Sequence, residues 1–257
     1  FHAADPNPTY YRKLPSYGIY TEDEFRDRAQ VDWTSLYQAN YNNLENGASY
    51  SVVEDVNKDK TLNVISHFDT KFKDNWKFNA NFSYQNLKSD NFRRIKDLLG
   101  AAYARNLDPY GDEGFNQWNL DNSDYKVYEG DRTQYSYILN KNTYAINLST
   151  EIDLPRWNLV ASVFSSHSES YRDGQFRNHF YAAGNLSKGK SDVYSTTDAG
   201  MKAKVTYKID GKNFLVYTGA YFTLAPTLNE IFVNPRTSNL ITPEIQNMHV
   251  NSNELSY

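Results

Sequence analysis

The stretch Leu62-Asn63-Val64-Ile65-Ser66-His67-Phe68-Asp69-Thr70-Lys71-Phe72 alternates apolar and polar side chains. Successive side chains of a strand point to opposite sides, so a period of two marks a strand wetted differently on its two faces. Leu62, Val64, Phe68 and Phe72 fall on one face. Asn63, His67, Asp69 and Lys71 fall on the other, with Ile65 as the apolar exception. Downstream, Trp76, Phe78, Ala80, Phe82 and Tyr84 oppose Lys77, Asn79, Asn81 and Ser83.

The same pattern recurs along the chain. Tyr144, Ile146, Leu148 and Ile152 oppose Asn147, Ser149 and Glu151. Trp157, Leu159, Ala161 and Val163 follow, although Val160 and Phe164 blur the alternation. Met201, Ala203, Val205, Tyr207 and Ile209 oppose Lys202, Lys204, Thr206 and Lys208. Phe214, Val216, Ala220 and Phe222 are expected to complete the apolar face, with Gly219 on the other. Each run covers roughly 10 residues, the length with which a tilted strand crosses a bilayer core.

The runs pair through short turns at Lys73-Asp74-Asn75, Asp153-Leu154-Pro155-Arg156 and Asp210-Gly211-Lys212. Asp-Gly favours a tight hairpin because both residues tolerate positive φ. Between the pairs lie long polar segments, about 87–134, 168–196 and 223–248. Short turns at one end and long loops at the other are the pattern of outer-membrane barrels. Trp76, Tyr84, Tyr144, Trp157, Tyr207, Phe214 and Phe222 sit near strand ends, where aromatic girdles are expected. In the first long segment, Ile95, Leu98, Leu99 and Ala102 have helical spacing. A short amphipathic loop helix is therefore expected over 92–105, stopped by Asp108-Pro109 and Gly111.

Composition agrees with a membrane-facing β protein. The chain has 257 residues, a net charge of -4 and 23% charged residues. Without a basic surplus, no nucleic-acid partner is expected. Mean hydropathy is -0.76, yet aromatics reach 16%; a disordered chain would be poor in them. No apolar run approaches the roughly 20 residues of a membrane-spanning helix, so a closed barrel is the spanning architecture left. There is no cysteine, which removes disulfides and thiol chemistry. The start at Phe1 without an initiator Met, and the end at Tyr257 inside an alternating run, lead us to expect a piece of a longer protein.

No catalytic constellation emerges. His2, His67, His167, His179 and His249 have no zinc-motif spacing, and neither a phosphate-cradling glycine loop nor a nucleophile elbow is present. His67 is expected to be hydrogen-bonded on the polar face. Glu22, Asp23 and Glu24, and Asp121 with Asp124, read as solvated loop charges. Asp69 and Glu151 are the carboxylates a glycosidase reading would need, but no motif joins them. We expect no enzyme activity, no cofactor and no metal site.

The long segments mix aromatics with polar groups. Phe115, Trp118, Tyr125, Tyr128, Tyr135 and Tyr137 lie in the first; Tyr171, Arg172, Phe176, Arg177, His179, Phe180 and Tyr181 lie in the second. Such residues either stack on and hydrogen-bond a polar ligand or pack each loop onto its neighbours. Trp118, Tyr125, Tyr128, Tyr171, Arg172 and Arg177 are the candidate ligand contacts.

Several segments resemble the TonB-dependent outer-membrane receptors of Gram-negative bacteria. They are Asn7-Pro8-Thr9-Tyr10-Tyr11-Arg12-Lys13-Leu14-Pro15-Ser16-Tyr17, then Val31-Asp32-Trp33 with Leu36-Tyr37 and Asn40. Asp97-Leu98-Leu99-Gly100-Ala101 follows, and then 217–237 with Ala225-Pro226 and Asn234-Pro235-Arg236-Thr237. The resemblance implies an all-β fold, with residues 1–257 as an antiparallel segment of a transmembrane barrel of roughly 22 strands. The plug domain and remaining strands would lie outside this chain. It further implies a bacterial outer-membrane location, lipid around the barrel, and energy from the TonB complex acting through the plug. The cargo would be a siderophore-bound iron, a cobalamin or an oligosaccharide, and a surface lipoprotein is a partner such receptors can have. Two alternatives stay open: a structural or adhesive barrel without TonB coupling, and a soluble β-rich carbohydrate-binding protein.

Overall fold

The computed structural model describes residues 31–111, 116–122, 124–181 and 186–257. The Asn7–Tyr17 segment, the Glu22–Glu24 carboxylates, His2 and Phe115 lie outside the described residues.

The alternating runs form strands that pair antiparallel with their neighbours. β1 (Val52–Lys73) and β2 (Trp76–Asp97) make a hairpin closed by Asp74-Asn75. β3 (Ala104–Arg105) and β4 (Lys126–Val127) form a separate two-stranded ribbon. β5 (Arg132–Asp153), β6 (Trp157–Gly174), β8 (Tyr194–Lys208), β9 (Phe214–Leu224) and β10 (Met248–Ser256) extend the main sheet in the order β1-β2-β5-β6-β8-β9-β10. The short β7 (Gly189–Lys190) pairs with the upper end of β6. The fold is thus mostly antiparallel β. Among the described residues, β1 and β10 each have a strand partner on one edge only.

Register decides the faces, because directly opposed residues share a side of the sheet. Phe78 pairs with Thr150, Leu148 with Val163, Leu159 with Val205, and Val205 with Tyr217. Followed across β1, β2, β5, β6, β8 and β9, this face holds no Asp, Glu, Lys or Arg over 62–72, 76–84, 144–152, 157–167, 197–207 and 215–223. Asp69, Lys71, Lys77, Glu151, Asp198, Lys202, Lys204 and Lys208 all stand on the opposite face. The uncharged face is bare: Leu62, Val64, Phe68, Phe72, Ile146, Val163 and Met201 are all exposed. Aromatic pairs mark its margins, with Phe72 on Trp76 and Trp157 on Tyr207 near the short turns. Tyr84 lies on Tyr144 further up.

Register corrects one expectation. Val216 pairs with Thr206, and Phe222 with Gly200. Phe214, Val216, Ala220 and Phe222 therefore lie on the charged face, and Leu215, Tyr217, Gly219 and Tyr221 continue the uncharged one. The cause is visible at Gly200, on the charged face between Phe164 and Phe222, whose ring centroids are 6.4 Å apart. A Cβ at Gly200 would stand 2.4 Å from the Phe222 Cβ. The missing side chain makes room for an apolar patch on the charged side, which is why Phe164 blurs the alternation and Phe222 falls on that side.

The strands also exceed the expected length. β1, β2 and β5 run for 22 residues each. Backbone pairing continues where the outward positions turn polar, as at Lys60, Lys88 and Asp90. The expected helix over 92–105 is overturned as well. β2 holds this chain through Asp97, with Phe92 and Arg93 bonded to strands on both sides. Leu99 and Gly100 then turn the chain at φ 49° and 83°. Ile95 and Leu98 bury against Ala104 and Val127. Ladder bonds on two edges outcompete a local helical periodicity.

The helices lie elsewhere: α1 (Trp33–Tyr41), capped by the Asp32 carboxylate on the Ser35 N–H at 3.0 Å, and α2 (Leu228–Ile231). Asn40 of α1 is fully buried. Its amide donates to the carbonyls of Tyr50, Leu98 and Leu99, and its oxygen accepts from Ser49 and Tyr50 N–H.

The face assignment is testable by substitution on its two sides. Val205→Arg or Tyr217→Arg should impair assembly by about 2–4 kcal/mol where the site meets lipid, while Lys204→Ala and Val216→Lys should be mild. Urea unfolding in vesicles checks this; equal effects on the two faces of β9 would contradict the register.

Candidate functional site: a polar cavity under the β9–β10 connection

The connection between β9 and β10 does not project freely. It lies on the charged face of the sheet, beyond the bare apolar band. Three side chains of that face anchor it. Asp198 of β8 accepts from the Ala225 N–H at 3.0 Å and the Asn247 amide at 2.7 Å. Arg172 of β6 donates from Nε to the Pro235 carbonyl at 2.6 Å, and from Nη1 to the Ser187 carbonyl at 2.8 Å and the Asn239 side chain. Asp55 of β1 faces the Arg236 guanidinium at 3.9 Å. Under the connection, Ile231 and Phe232 pack with Tyr135, Tyr137 and Leu139.

The segment is folded by local rules. Thr227 and Glu230 form a reciprocal capping box at α2. Val233 N–H donates to the Leu240 carbonyl at 3.0 Å. Asn234 turns the tip: its side chain accepts from Arg236 N–H, and its carbonyl from Thr237 and Ser238 N–H. The Asn234-Pro235-Arg236-Thr237 turn thereby delivers Arg236 over the Tyr135 ring, 4.8 Å from its centroid.

Between this turn and the sheet is a cavity of about 540 Å³, lined by Asp55, Asn57, Asn91, Tyr135, Tyr137, Asn229, Asn234, Pro235 and Arg236. Its floor is β1, β2 and β5, and its roof is the β9–β10 connection. Four amides line it: the Asn91 NH2 is given to Ser89 and the Asn234 oxygen accepts from Arg236 N–H, and the remaining amide groups supply both donors and acceptors. Charge is balanced close by: Arg93 donates to both Asp55 oxygens at 2.6 and 3.0 Å. These bonds, with the Tyr135 hydroxyl, hold the Asp55 carboxyl down to about 2 against the opposing effect of burial. Burial, then the hydrogen bond to Asp55, pushes the Tyr135 phenol up to about 12. Such a cavity suits a polar ligand bound by amide and hydroxyl hydrogen bonds. Guanidinium groups already lie over the tyrosine rings.

The six residues marked in the sequence do not converge here. Arg172 is wholly buried, and its guanidinium lies over Tyr137. Burial lowers its pKa to about 10. It organises the cavity's roof from behind. Trp118 packs edge-on against His179 and Phe180 at 5.6 and 5.7 Å. Arg177 bonds Asp121 at 2.9 Å, as does Lys188 at 2.6 Å, tying the first long loop to the second. Tyr125 has a positive φ of 42° at a turn, and Tyr128 is exposed beside Asp131. Tyr171 stands on the outward face under Lys190. His67, on the charged face, contacts Asn81 and Asp69. The amides Asn57, Asn91 and Asn229 were not distinguished in the sequence. Tyr135 and Tyr137 stood there among the loop aromatics, and Asn234-Pro235-Arg236-Thr237 as part of the resemblance.

Removing the Arg172 guanidinium strands the buried Ser187 carbonyl, at about 1–3 kcal/mol, and releases the half-buried Pro235 and Asn239 oxygens. Arg172→Met should therefore make the segment 225–247 markedly more sensitive to limited proteolysis while the sheet persists. Acid should act at Asp55. Its folded pKa is depressed, so its contribution is intact above the ordinary value near 3.8 and fades as pH falls toward about 2. Proteolytic sensitivity of the same segment should rise in that window and lose this pH dependence in Asp55→Asn. No family model, curated protein or solved structure matches this chain.

Proposed function

We propose that this chain forms part of the barrel of a TonB-dependent outer-membrane uptake receptor, with the polar cavity as an entry site for its cargo. One observation carries the reading: an exposed apolar face without formal charge runs across six consecutive strands and backs onto a face rich in lysine and carboxylate. In water, a contiguous patch of this extent is a liability. Against acyl chains it is the stable arrangement. The aromatic margins agree in scale. Trp76 and Tyr84 are eight residues apart, about 26 Å along a strand. At the usual barrel tilt this gives about 20 Å of height, near the apolar band of such barrels.

Uptake is favoured over a purely structural or adhesive role by the opposite face. Behind the apolar band it carries the lysines and carboxylates of the sheet, and at one end a connection folds onto it and leaves a hydrogen-bonding cavity. The reading requires no covalent chemistry. Coupling to TonB rests on the resemblance and would act through a plug.

The full-length protein should sediment with outer membranes and require detergent for extraction. A deletion strain should lose growth on one class of scarce nutrient among iron chelates, cobalamin and oligosaccharides. Asn57→Leu with Asn91→Leu should lower uptake of that nutrient at unchanged surface level. Recovery in the aqueous fraction without detergent would sink the proposal.

A further inference from the structure

The charges around the polar cavity are unequal. Three guanidinium groups lie over its two tyrosine rings: Arg93 and Arg236 over Tyr135, at 5.6 and 4.8 Å from the centroid, and Arg172 over Tyr137 at 5.3 Å. Among the lining residues one carboxylate, Asp55, answers them. Asp59, the next acid on the same face of β1, does not line the cavity.

The three cations are not equivalent. Arg93 is engaged by both Asp55 oxygens and by the Gln134 side chain. Arg172 is wholly buried and donates to Pro235, Ser187 and Asn239. Arg236 differs. Its side chain is 55% exposed and stands 3.9 Å from an Asp55 oxygen, beyond hydrogen-bond range. The turn at Asn234 fixes Arg236 through its backbone N–H. Among the described residues its guanidinium donates no hydrogen bond, so its fork of N–H groups is unused. Asn57, Asn229 and the Tyr137 hydroxyl line the same cavity, and they too make no side-chain hydrogen bond among the described residues.

We infer that the cavity recognises a carboxylate set among hydroxyl groups, with Arg236 as the residue that selects it. A guanidinium presents parallel N–H donors to both oxygens of a planar carboxylate, and such charge-assisted bonds are about twice as strong as neutral ones. The Tyr135 ring supports the guanidinium from beneath. Hydroxyls beside the carboxylate would meet the Asn57 and Asn229 amides and the Tyr137 phenol. A phosphate, with nearly two charges, would leave one of them facing Asp55. Two sources carry the favoured chemistry: an acidic sugar within an oligosaccharide, and a hydroxycarboxylate that chelates iron. The inference rests on the uptake reading above and narrows its cargo.

The test measures binding to the full-length protein in detergent by isothermal titration. The probes are trigalacturonate, its methyl ester, in which the same hydroxyls surround uncharged groups, and ferric citrate. A sugar-acid cargo predicts that trigalacturonate binds on the order of tenfold tighter than its ester. A chelate cargo predicts that ferric citrate binds and trigalacturonate does not. Arg236→Gln should weaken whichever acid binds on the order of tenfold, and Arg236→Lys, which keeps the charge without the fork, should restore part of it. The ester's affinity should not move, which separates a lost contact from a loosened roof. Should neither acid bind saturably, or should trigalacturonate bind no tighter than its ester while ferric citrate fails to bind, the inference falls and the receptor reading stands. An acid affinity unchanged in Arg236→Gln would sink it as well. The receptor reading fails separately, on recovery of the protein in the aqueous fraction without detergent.

Discussion

The pleat of the strand is the constraint on which the rest depends. Because neighbouring residues must point to opposite sides, a register fixed at one pair fixes the surroundings of every residue in that ladder. Here the ladders hold continuously from Trp76–Ile152 to Tyr84–Tyr144 and on through β6 and β8. A slip by one residue anywhere in them would carry Lys77, Glu151 or Lys204 to the bare apolar side. The separation of charge from apolar surface thus specifies the sheet as strongly as its hydrogen bonds do. Asp210 helps set the last hairpin: its carboxylate accepts from the N–H groups of Lys212 and Asn213.

The hairpins were legible because each pairs a clean alternation with a turn that has its own chemistry. The upper halves of the strands were not. There the outward positions hold Lys58, Lys60, Lys88 and Asp90, so polarity stops alternating although the backbone ladder continues. The face of β9 was misread for a different reason. Apolar residues occupy both of its sides, and the deciding fact is a vacancy on the neighbouring strand at Gly200. Residues 92–105 looked helical because Ile95 and Leu98 can gather by strand, turn and ribbon as readily as along one helical stripe.

The cavity was the least legible part. Its floor residues lie on β1, β2 and β5, and its roof comes from a connection more than a hundred residues from that first hairpin. No window of sequence contains both. Of the loop residues that drew attention, Trp118 packs on His179 and Phe180 and Arg177 bonds Asp121, while Tyr135 and Tyr137 line the cavity. Arg172 is instructive. In sequence it stands among the candidate ligand contacts beside Tyr171; in the fold it is the buried bracket that ties β6 to Pro235, Ser187 and Asn239.

The division between floor and roof separates two kinds of evolutionary freedom. Floor positions such as Asn57 and Asn91 belong to ladders that also cross the apolar band, so their backbone is held by the same register as the band itself. The roof hangs from a few side chains of that sheet and carries its own internal turn. Exchange of the 227–240 lobe for another that preserves the attachments to Arg172 and Asp198 would reshape the roof of the cavity while the sheet beneath stays the same.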